Sequence, residues 1–327
     1  MGNYDVAVVG GGVMGCSTAL YLSRNRMRTI VIDRGALCRE ASGTNAGTLT
    51  LNMTRAALIP YAIKGWELWN STEKWLHSSI GTRKVNGLSL AFTEEEEELL
   101  YERVQARQAM GAPIKLISGK KAQRLEPGLN NSVRSAAWCA KDGFTSAYLT
   151  GQAFKRALTQ ENSAVMEYSK VKGIENDKNN FKIYLENNEH LIAKRIVLAG
   201  GVWLEDMLSW LNVKIPIKCL INQLIITERM PQVMKTVLSI ANGLLSMKQF
   251  DKNTVKGLTR VAVVKIKKGL FGGGIISDKR YVVILLGPEI SHSNTSEIVA
   301  ICTDHAGLSG FATEYFEYLL KDASEVK

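Results

Sequence analysis

The chain has 327 residues, 46% of them apolar, so it is long enough for a large core and for two domains. The formal net charge is +10, but lysine and arginine are scattered, and the densest group, at residues 265–268, is short. This distribution argues against nucleic-acid binding and favours a solvated basic surface that attracts anionic substrates or membrane surfaces.

Cysteine and histidine usage also excludes several classes of site. The five cysteines are far apart, and none forms a Cys-x-x-Cys pair, so neither a disulfide framework nor a zinc site is predicted. A reducing compartment is expected. His77, His190 and His292 show no metal-ligand spacing, and no metal site is predicted. No apolar run approaches membrane-spanning length, and the first strand begins so early that no signal peptide is expected.

The first thirty-three residues follow a strand, turn, helix, strand pattern. Residues 4–9 (YDVAVV) form a short apolar run that is typical of a buried parallel strand. Residues 10–15 (GGGVMG) follow at once and fit G-x-G-x-x-G. Small and apolar residues at 16–22 predict a helix, and residues 29–32 predict a second strand that ends at Asp33.

Each part of this pattern has a physical reason. Gly10 permits the tight turn, Gly12 lets the backbone approach a pyrophosphate, and Gly15 lets the helix pack closely on the strand. The helix start offers N–H groups and a positive dipole end to phosphates. Asp33 lies about 20 residues further on, where an acid accepts the ribose hydroxyls. The pattern predicts an adenine dinucleotide site, because a glycine-rich turn without a ligand leaves the acid and its spacing unexplained.

Three later segments extend this interpretation. Residues 40–47 (EASGTNAG) form a small, polar loop suited to close backbone approach to a ligand. Residues 196–203 (IVLAGGVW) form an apolar strand ending in two glycines. Residues 305–310 (HAGLSG) precede a helical pattern and predict another helix N-terminus for an anion or an electron-rich ring.

Between these segments the sequence predicts both helices and strands. Helical spacing runs over residues 55–76, a strand over 87–92 and a helix over 94–110, which Thr93 and Glu96 begin as a capping box.

Three further strands follow. Residues 181–185 and 191–198 predict two strands around a turn at Asn187-Asn188. Residues 214–227 predict a long strand.

Together these motifs resemble the FAD-dependent D-amino-acid oxidase superfamily, on the branch with glycine oxidase, sarcosine oxidase and D-amino-acid dehydrogenases. The resemblance rests on the fingerprint with Asp33, the loop from Ala41 to Gly47, the Asp-Gly-Phe segment at 142–144 and the LAGGVW segment at 198–203. It implies an α/β fold: a Rossmann-type FAD-binding domain with an inserted α+β substrate domain built on a mostly antiparallel sheet. The FAD-binding domain would comprise 1–80, 143–212 and 279–327, and a shortened substrate domain 81–142 and 213–278.

The resemblance also implies the residues of the site. His305 and Arg280 are the catalytic candidates. The implied FAD-binding residues are Gly10, Gly12, Val13, Met14, Gly15, Asp33, Arg34, Ala41, Ser42, Thr44, Asn45, Ala46, Gly47, Val171, Ala199, Gly200, Trp203, Gly307, Leu308, Ser309 and Gly310.

The implied activity is oxidation of a small amine or amino acid by hydride transfer to flavin N5, with oxygen or a quinone as electron acceptor. No nucleic-acid partner is expected. A cytoplasmic location is expected, with peripheral contact at the inner face of a membrane and oligomer formation left open.

The family pattern breaks after Phe250. Residues 272–274 (GGG) are followed almost directly by residues 277–281, so a block that relatives carry is missing. The arginine that binds the substrate carboxylate in relatives has no clear counterpart, and Arg280 lies nearby. Residues 261–264 are a candidate replacement strand. Two alternatives therefore stay open: a catalytically impaired flavoprotein acting as a binding or scaffold subunit, and an NAD-dependent dehydrogenase.

Overall fold

The computed structural model describes residues 3–217, 224, 232–243 and 245–250, together with the backbone of five short strands between residues 265 and 325. The chain divides into two compact units. The first contains Met1–Asn222 and Gln232–Gln249, and the second contains Gln223–Pro231 and Phe250–Lys327.

The first unit alternates helices and strands over most of its length. In chain order its elements are β1 (Asn3–Val9), α1 (Val13–Arg24), β2 (Thr29–Ile32), α2 (Ala41–Thr44), β3 (Thr48–Leu49), a 3₁₀ turn (Ala56–Leu58), α3 (Ile59–Trp69), α4 (Thr72–Trp75), β4 (Arg83–Ala91), α5 (Glu94–Ala109), β5 (Ile114–Ser118), α6 (Gly119–Leu125), β6 (Ser135–Phe144), α7 (Ala147–Gln160), β7 (Ala164–Met166), β8 (Val171–Asp177), β9 (Asn180–Leu185), β10 (His190–Leu198), a 3₁₀ turn (Gly201–Trp203), α8 (Leu204–Ser209), β11 (Val237–Ile240) and β12 (Ser246–Met247).

The first sheet has the strand order β7-β2-β1-β10-β9-β8. Strands β7, β2, β1 and β10 are parallel, and β10, β9 and β8 are antiparallel neighbours. On β1, Val6 and Val8 pack against α1 and α7, where Phe154 is fully buried, while Ala7 and Val9 face a second apolar cluster. Burial on both faces explains why this strand is almost continuously apolar.

The second sheet is mixed but mostly antiparallel. Its order is β12-β11-β4-β6-β3, and β5 also pairs with β6. Only the β11–β4 pair is parallel among its described pairs. Helix α5 packs against this sheet through Leu100 and Val104. The two sheets with their helices confirm the α/β class and the mostly antiparallel second sheet that the sequence predicts.

The described backbone of the second unit consists of short strands: β13 (Lys265–Ile266), β14 (Gly273–Ser277), β15 (Tyr281–Leu286), β16 (Val299–Thr303) and β17 (Ser324–Glu325). Strands β14, β15 and β16 form an antiparallel sheet, and β13 pairs with β17.

The predicted start of α5 is confirmed in atomic detail. Thr93 Oγ1 accepts a hydrogen bond from the Glu96 N–H at 3.2 Å, and Glu96 Oε2 accepts one from the Phe92 N–H at 2.8 Å. This reciprocal pair is a capping box, and it satisfies N–H groups that the first helical turn leaves open. The turn between β9 and β10 is likewise confirmed, with Asn188 in the left-handed region at φ 66°.

The helical spacing predicted over residues 55–76 corresponds in the structure to more than one helix. A 3₁₀ turn precedes α3, which ends at Trp69, and α4 is a separate short helix. The Asn70 side chain donates to the Trp66 carbonyl at 2.7 Å. A polar side chain that bonds the backbone in this way competes with continuation of the helix.

Several predictions lie outside the described residues, and the domain boundaries stay predictions. Most of the strand predicted at 214–227 and all of residues 261–264 fall there, as do the site candidates Arg280, His305, Gly307, Leu308, Ser309 and Gly310.

Candidate functional site

The glycine turn between β1 and α1 is packed so closely that side chains are excluded at two positions. Gly10 has φ +110°, and a Cβ there would lie 2.4 Å from the Ala199 carbonyl oxygen. A Cβ on Gly15 would lie 1.9 Å from the Gly10 carbonyl oxygen. The first turn of α1 therefore sits directly on the end of β1, with the Gly12 backbone extended at its N-terminus.

Asp33 closes this turn from the end of β2. Its Oδ2 accepts a hydrogen bond from the Gly11 N–H at 2.6 Å, and its Oδ1 accepts one from the Gly35 N–H at 2.8 Å. Burial raises the pKa of Asp33, and the two N–H groups oppose this effect. Since each carboxylate oxygen has two acceptor sites, Asp33 can hold the turn and still accept ligand hydroxyls.

Arg34 and Trp203 are brought together, although they are far apart in sequence. The Arg34 guanidinium lies 3.8 Å from the centre of the Trp203 ring, and it donates to Glu40 Oε1 at 3.0 Å. This cation–π contact places both residues beside Asp33 at the carboxyl ends of the parallel strands.

The loop predicted at residues 41–47 contains the short helix α2 and contacts the glycine turn. Ser42 Oγ accepts a hydrogen bond from the Val13 N–H at 3.0 Å, in the first turn of α1. The Asn45 side chain donates to the carbonyls of Ala41 and Ser42 and accepts from the Gly47 N–H at 2.6 Å. Gly47 has φ +63°. The loop is thus folded by its own side chains and lies against the N-terminal end of α1.

The remaining predicted residues are placed as follows. Thr44 Oγ1 donates to the Glu40 carbonyl, and Ala46 is half-buried in the same loop. The Ala199 N–H donates to the Val9 carbonyl at 2.8 Å, and Gly200 follows it.

Val171 begins β8, two strands further from β1 than β10. The Ser169 N–H donates to the Asp33 carbonyl at 2.8 Å, so the chain just before Val171 reaches the site.

Two features of the turn fit a dinucleotide. Met14, in the first turn of α1, is 73% exposed, although the same helix is buried at Gly15 and Cys16. A ligand lying across the helix N-terminus would cover this side chain. The turn has glycine at the positions where a dinucleotide fingerprint brings the backbone close to a phosphate. Asp33 accepts a hydrogen bond from this turn at the Gly11 N–H. The residues present therefore fit an adenine dinucleotide.

Two polar residues of the second sheet were missed in the sequence. Asp142 is fully buried, and its carboxylate accepts hydrogen bonds from Leu51 N–H (2.8 Å), Thr50 Oγ1 (2.7 Å) and Asn52 Nδ2 (3.4 Å). Burial raises the pKa of Asp142, and these bonds oppose it. The sequence signal for this role is an acidic residue within the otherwise apolar strand β6.

Lys248 is the second missed residue, and nothing in its local sequence marks it. Its Nζ donates to Thr48 Oγ1 at 3.1 Å, although the two residues are 200 positions apart. Thr48 directly follows Gly47, so Lys248 lies at the end of the loop that begins at Ala41.

Comparison with protein families decides the identity of the chain. The family model described as FAD dependent oxidoreductase, DAO, matches residues 5–265. The chain belongs to this family. The resemblance in the glycine turn and loop is thereby confirmed, and FAD is the cofactor of the DAO family.

Individual relatives agree with this membership. Glycine oxidase of Geobacillus kaustophilus (strain HTA426) is 28% identical over 208 residues, which cover 61% of this chain and 55% of that protein. Monomeric sarcosine oxidase of Arthrobacter sp. (strain TE1826) is 24% identical over 220 residues, covering 66% and 56%. The chain thus spans little more than half the length of these curated relatives. The crystal structure of glycine oxidase from Geobacillus kaustophilus matches 100% of this chain and 81% of its own at a TM-score of 0.63 and 19% identity, which shows a shared fold.

Two kinds of feature are absent from the part of the chain that the structure describes. No described helix combines the length and apolar character needed to cross a membrane. No group of three or more histidine, cysteine, aspartate or glutamate side chains among the described residues could hold a metal ion.

Proposed function

We propose that this DAO-family chain is an FAD-dependent oxidoreductase that oxidises a small amine or amino acid. One observation carries the proposal. Asp33 is hydrogen-bonded to the glycine turn, and the start of α1 is hydrogen-bonded to Ser42. The segments proposed to bind the ribose, the phosphates and the flavin ring are therefore connected to one another. The names of the matched relatives, glycine oxidase and monomeric sarcosine oxidase, support the substrate class.

The predicted residues can be assigned to the parts of the cofactor. Asp33 accepts the ribose hydroxyls, with Arg34, Trp203 and the chain before Val171 beside it. The N–H groups at the start of α1 bind the pyrophosphate, because a helix N-terminus favours anions. The loop Ala41 to Gly47 follows the cofactor towards its ring.

The chain supplies binding and orientation rather than acid–base machinery. Bound FAD supplies a hydride acceptor at N5 of its ring. The protein holds the substrate carbon against that position, keeps the substrate amine neutral and excludes water. Oxygen or a quinone then takes the electrons. We propose a cytoplasmic location, since the free thiols of Cys16, Cys38 and Cys139 suit a reducing compartment.

A flavin titration tests the proposal. The purified protein is expected to be yellow or to take up added FAD, and its absorption should bleach under anaerobic conditions when glycine, sarcosine, proline or D-alanine is added. Free FAD with the same amines is the control. A colourless protein that takes up no FAD contradicts the proposal, and saturable NADH binding would then favour the NAD-dependent alternative.

The second candidate, an impaired flavoprotein, is favoured by the short connection between β14 and β15, which are adjacent antiparallel strands. The family resemblance implies a further block of chain at this point. The same titration separates the two candidates, because a protein that holds FAD but is bleached by no amine or amino acid is not an oxidase of these substrates.

A further inference from the structure

Two buried thiols lie beneath the glycine turn, and their residues bind the same backbone carbonyl. The Cys16 thiol, in the first turn of α1, donates to the Gly11 carbonyl oxygen at 3.2 Å, and the Cys38 N–H donates to the same oxygen at 2.9 Å. The two thiols are also hydrogen-bonded to each other. Cys16 is fully buried and Cys38 is 4% exposed, so the pair belongs to the core below the turn.

These contacts fix the orientation of one peptide group in the turn. The peptide plane between Gly11 and Gly12 is rigid and trans, so its carbonyl and its N–H point in opposite directions. Because two donors hold the Gly11 carbonyl towards the core, the Gly12 N–H is directed away from the core. A helix N-terminus offers such an N–H to a phosphate. Cys16 and Cys38 therefore orient a donor of the proposed pyrophosphate site.

The backbone of Cys38 is unusual for its residue type. Its φ is +54°, in the left-handed region that favours glycine. The surroundings hold it there, because a Cβ on Gly43 would lie 1.9 Å from the Cys38 carbonyl oxygen and a Cβ on Gly151 would lie 3.2 Å from Cys38 Cβ. Strained residues that are held in this way cluster at functional sites. A cysteine at a position suited to glycine therefore points to a function of its thiol.

We propose that Cys16 and Cys38 form a reversible disulfide when peroxide is present, and that this bond weakens cofactor binding by the glycine turn. The disulfide stands on the contacts of the two residues, whereas its effect on the cofactor rests on the proposed function. Hydrogen peroxide is the expected oxidant, because oxygen that accepts the two electrons of a reduced flavin is converted to it. The product of turnover with oxygen thus limits further turnover.

The oxidation balances with two thiols, one peroxide and two waters. The Cys38 sulfur, the more exposed of the two, attacks a peroxide oxygen, which breaks the O–O bond, leaves a sulfenic acid and releases one water. The Cys16 sulfur then attacks the Cys38 sulfur, which forms the S–S bond and releases the second water. Both sulfurs are oxidised, both peroxide oxygens are reduced, and the thiol protons leave in the waters.

The surroundings of the pair make this reaction slow. The hydrogen bond with Cys38, together with burial, raises the pKa of Cys16 well above its usual range. A protonated, buried thiol reacts slowly and is reached through local opening of the fold. The pair is therefore expected to respond to sustained exposure to peroxide rather than to a brief pulse.

The disulfide changes the hydrogen bonds of the turn. It has no S–H group, so the Gly11 carbonyl loses the Cys16 donor and keeps the Cys38 N–H. The peptide between Gly11 and Gly12 is then less firmly oriented. The expected cost to cofactor affinity is about three- to tenfold, which corresponds to about one net hydrogen bond.

Peptide mapping tests the disulfide independently of the cofactor. The purified protein is treated with hydrogen peroxide, the remaining thiols are blocked, and proteolytic peptides are analysed by mass spectrometry. The expected product is a pair of peptides joined through Cys16 and Cys38, which separates on reduction with dithiothreitol. Absence of this pair, or a bond from either residue to a different cysteine, overturns the inference.

FAD affinity tests the effect of the disulfide on the turn. After removal of any bound flavin, FAD is titrated into reduced, oxidised and re-reduced protein, and flavin fluorescence gives each dissociation constant. The oxidised protein is expected to bind FAD about three- to tenfold more weakly, and reduction should restore the affinity. Equal affinity of the three forms overturns the proposed effect. Reduced protein that takes up no FAD overturns the proposed function instead, and the mapped disulfide still stands.

Three variants locate the effect. Cys16→Ser keeps a hydroxyl donor for the Gly11 carbonyl but cannot form the bond, and Cys38→Gly suits the left-handed backbone. The FAD affinity of each should be the same before and after peroxide treatment. The matched control is Cys139→Ser, because Cys139 is also fully buried but its thiol contacts the Asp142 carboxylate. A loss of FAD affinity with peroxide that persists in Cys16→Ser or Cys38→Gly, or that disappears in Cys139→Ser, sinks the inference.

Discussion

Asp33 Oδ2 accepts a hydrogen bond of 2.6 Å from the Gly11 N–H, and this bond ties the end of β2 to the turn that follows β1. The other carboxylate oxygen holds the Gly35 N–H at 2.8 Å. One side chain therefore shapes the glycine turn, and in the proposed function the same side chain would accept the ribose hydroxyls.

The first prediction follows from this double role. Asp33→Ala should weaken FAD binding by about 10- to 100-fold, because the glycine turn loses the hydrogen bonds that Asp33 accepts and the ribose loses a charged acceptor. Flavin fluorescence recovered on release of FAD measures the affinity. Asp5 offers a matched control, since it accepts comparable bonds from Arg28 N–H and Lys194 at the opposite end of β1. An Asp33→Ala protein that binds FAD as tightly as Asp5→Ala would contradict the assignment.

The second prediction concerns the packing of α1 on β1. Gly15→Ala should lower the free energy of unfolding by about 2–3 kcal/mol, because its Cβ would lie 1.9 Å from the Gly10 carbonyl oxygen. Urea unfolding followed by circular dichroism measures the loss. Gly65→Ala in α3 is the control: apart from the neighbouring backbone of the helix, no atom lies within 4 Å of its Cβ, so helix propensity should raise stability by about 1 kcal/mol. Equal stability of the two variants would show that the close contact is absent in solution.

The third prediction is a stability change with pH at Lys248. Its pKa of about 7 lies below that of an unfolded lysine, so the unfolded chain holds the proton more tightly between about pH 7 and about pH 10. Stability should therefore rise with pH across this window. Two described contacts of the ammonium, with Thr48 on β3 and Phe144 on β6, do not titrate there, and Arg83 in the same row stays charged.

Lys248→Met should remove this component of the pH dependence. The variant is expected to be more stable than wild type by about 1–3 kcal/mol near pH 7 and close to it near pH 10. Urea midpoints at both pH values measure the difference. A variant that is less stable than wild type near pH 7 would contradict this prediction, because it would show that the lysine contributes to the stability of the fold.

Local patterns in the sequence predict much of the fold and the nucleotide end of the site. The glycine spacing and Asp33 lie within about thirty residues, so turn geometry and register follow from them directly. The capping box at Thr93 and the hairpin at Asn188 are similarly local.

The second sheet depends instead on contacts between distant segments. Lys248 reaches Thr48 across 200 positions, and Asp142 reaches Leu51 across 91. Lys248 carries no local signal, and the position of Asp142 within an apolar strand, although visible in the sequence, does not identify its partners. The division between α3 and α4 at Asn70 accompanies a side-chain hydrogen bond that periodicity does not reveal.

The last prediction concerns the buried carboxylate of Asp142, whose hydrogen bonds connect β6 to the residues that follow β3. Asp142→Ala should lower the free energy of unfolding by about 2–4 kcal/mol, because the buried Leu51 N–H and the Thr50 and Asn52 side chains lose their acceptor. Asp142→Asn keeps the shape but turns one acceptor into a donor, so its loss should be intermediate.

Exposed Asp206 in α8 provides the control, and its replacement by alanine should change stability by less than about 0.5 kcal/mol. Urea unfolding of all three variants gives the comparison. If Asp142→Ala unfolds at the same urea concentration as Asp206→Ala, the Asp142 carboxylate does not stabilise the contact between β6 and the residues that follow β3.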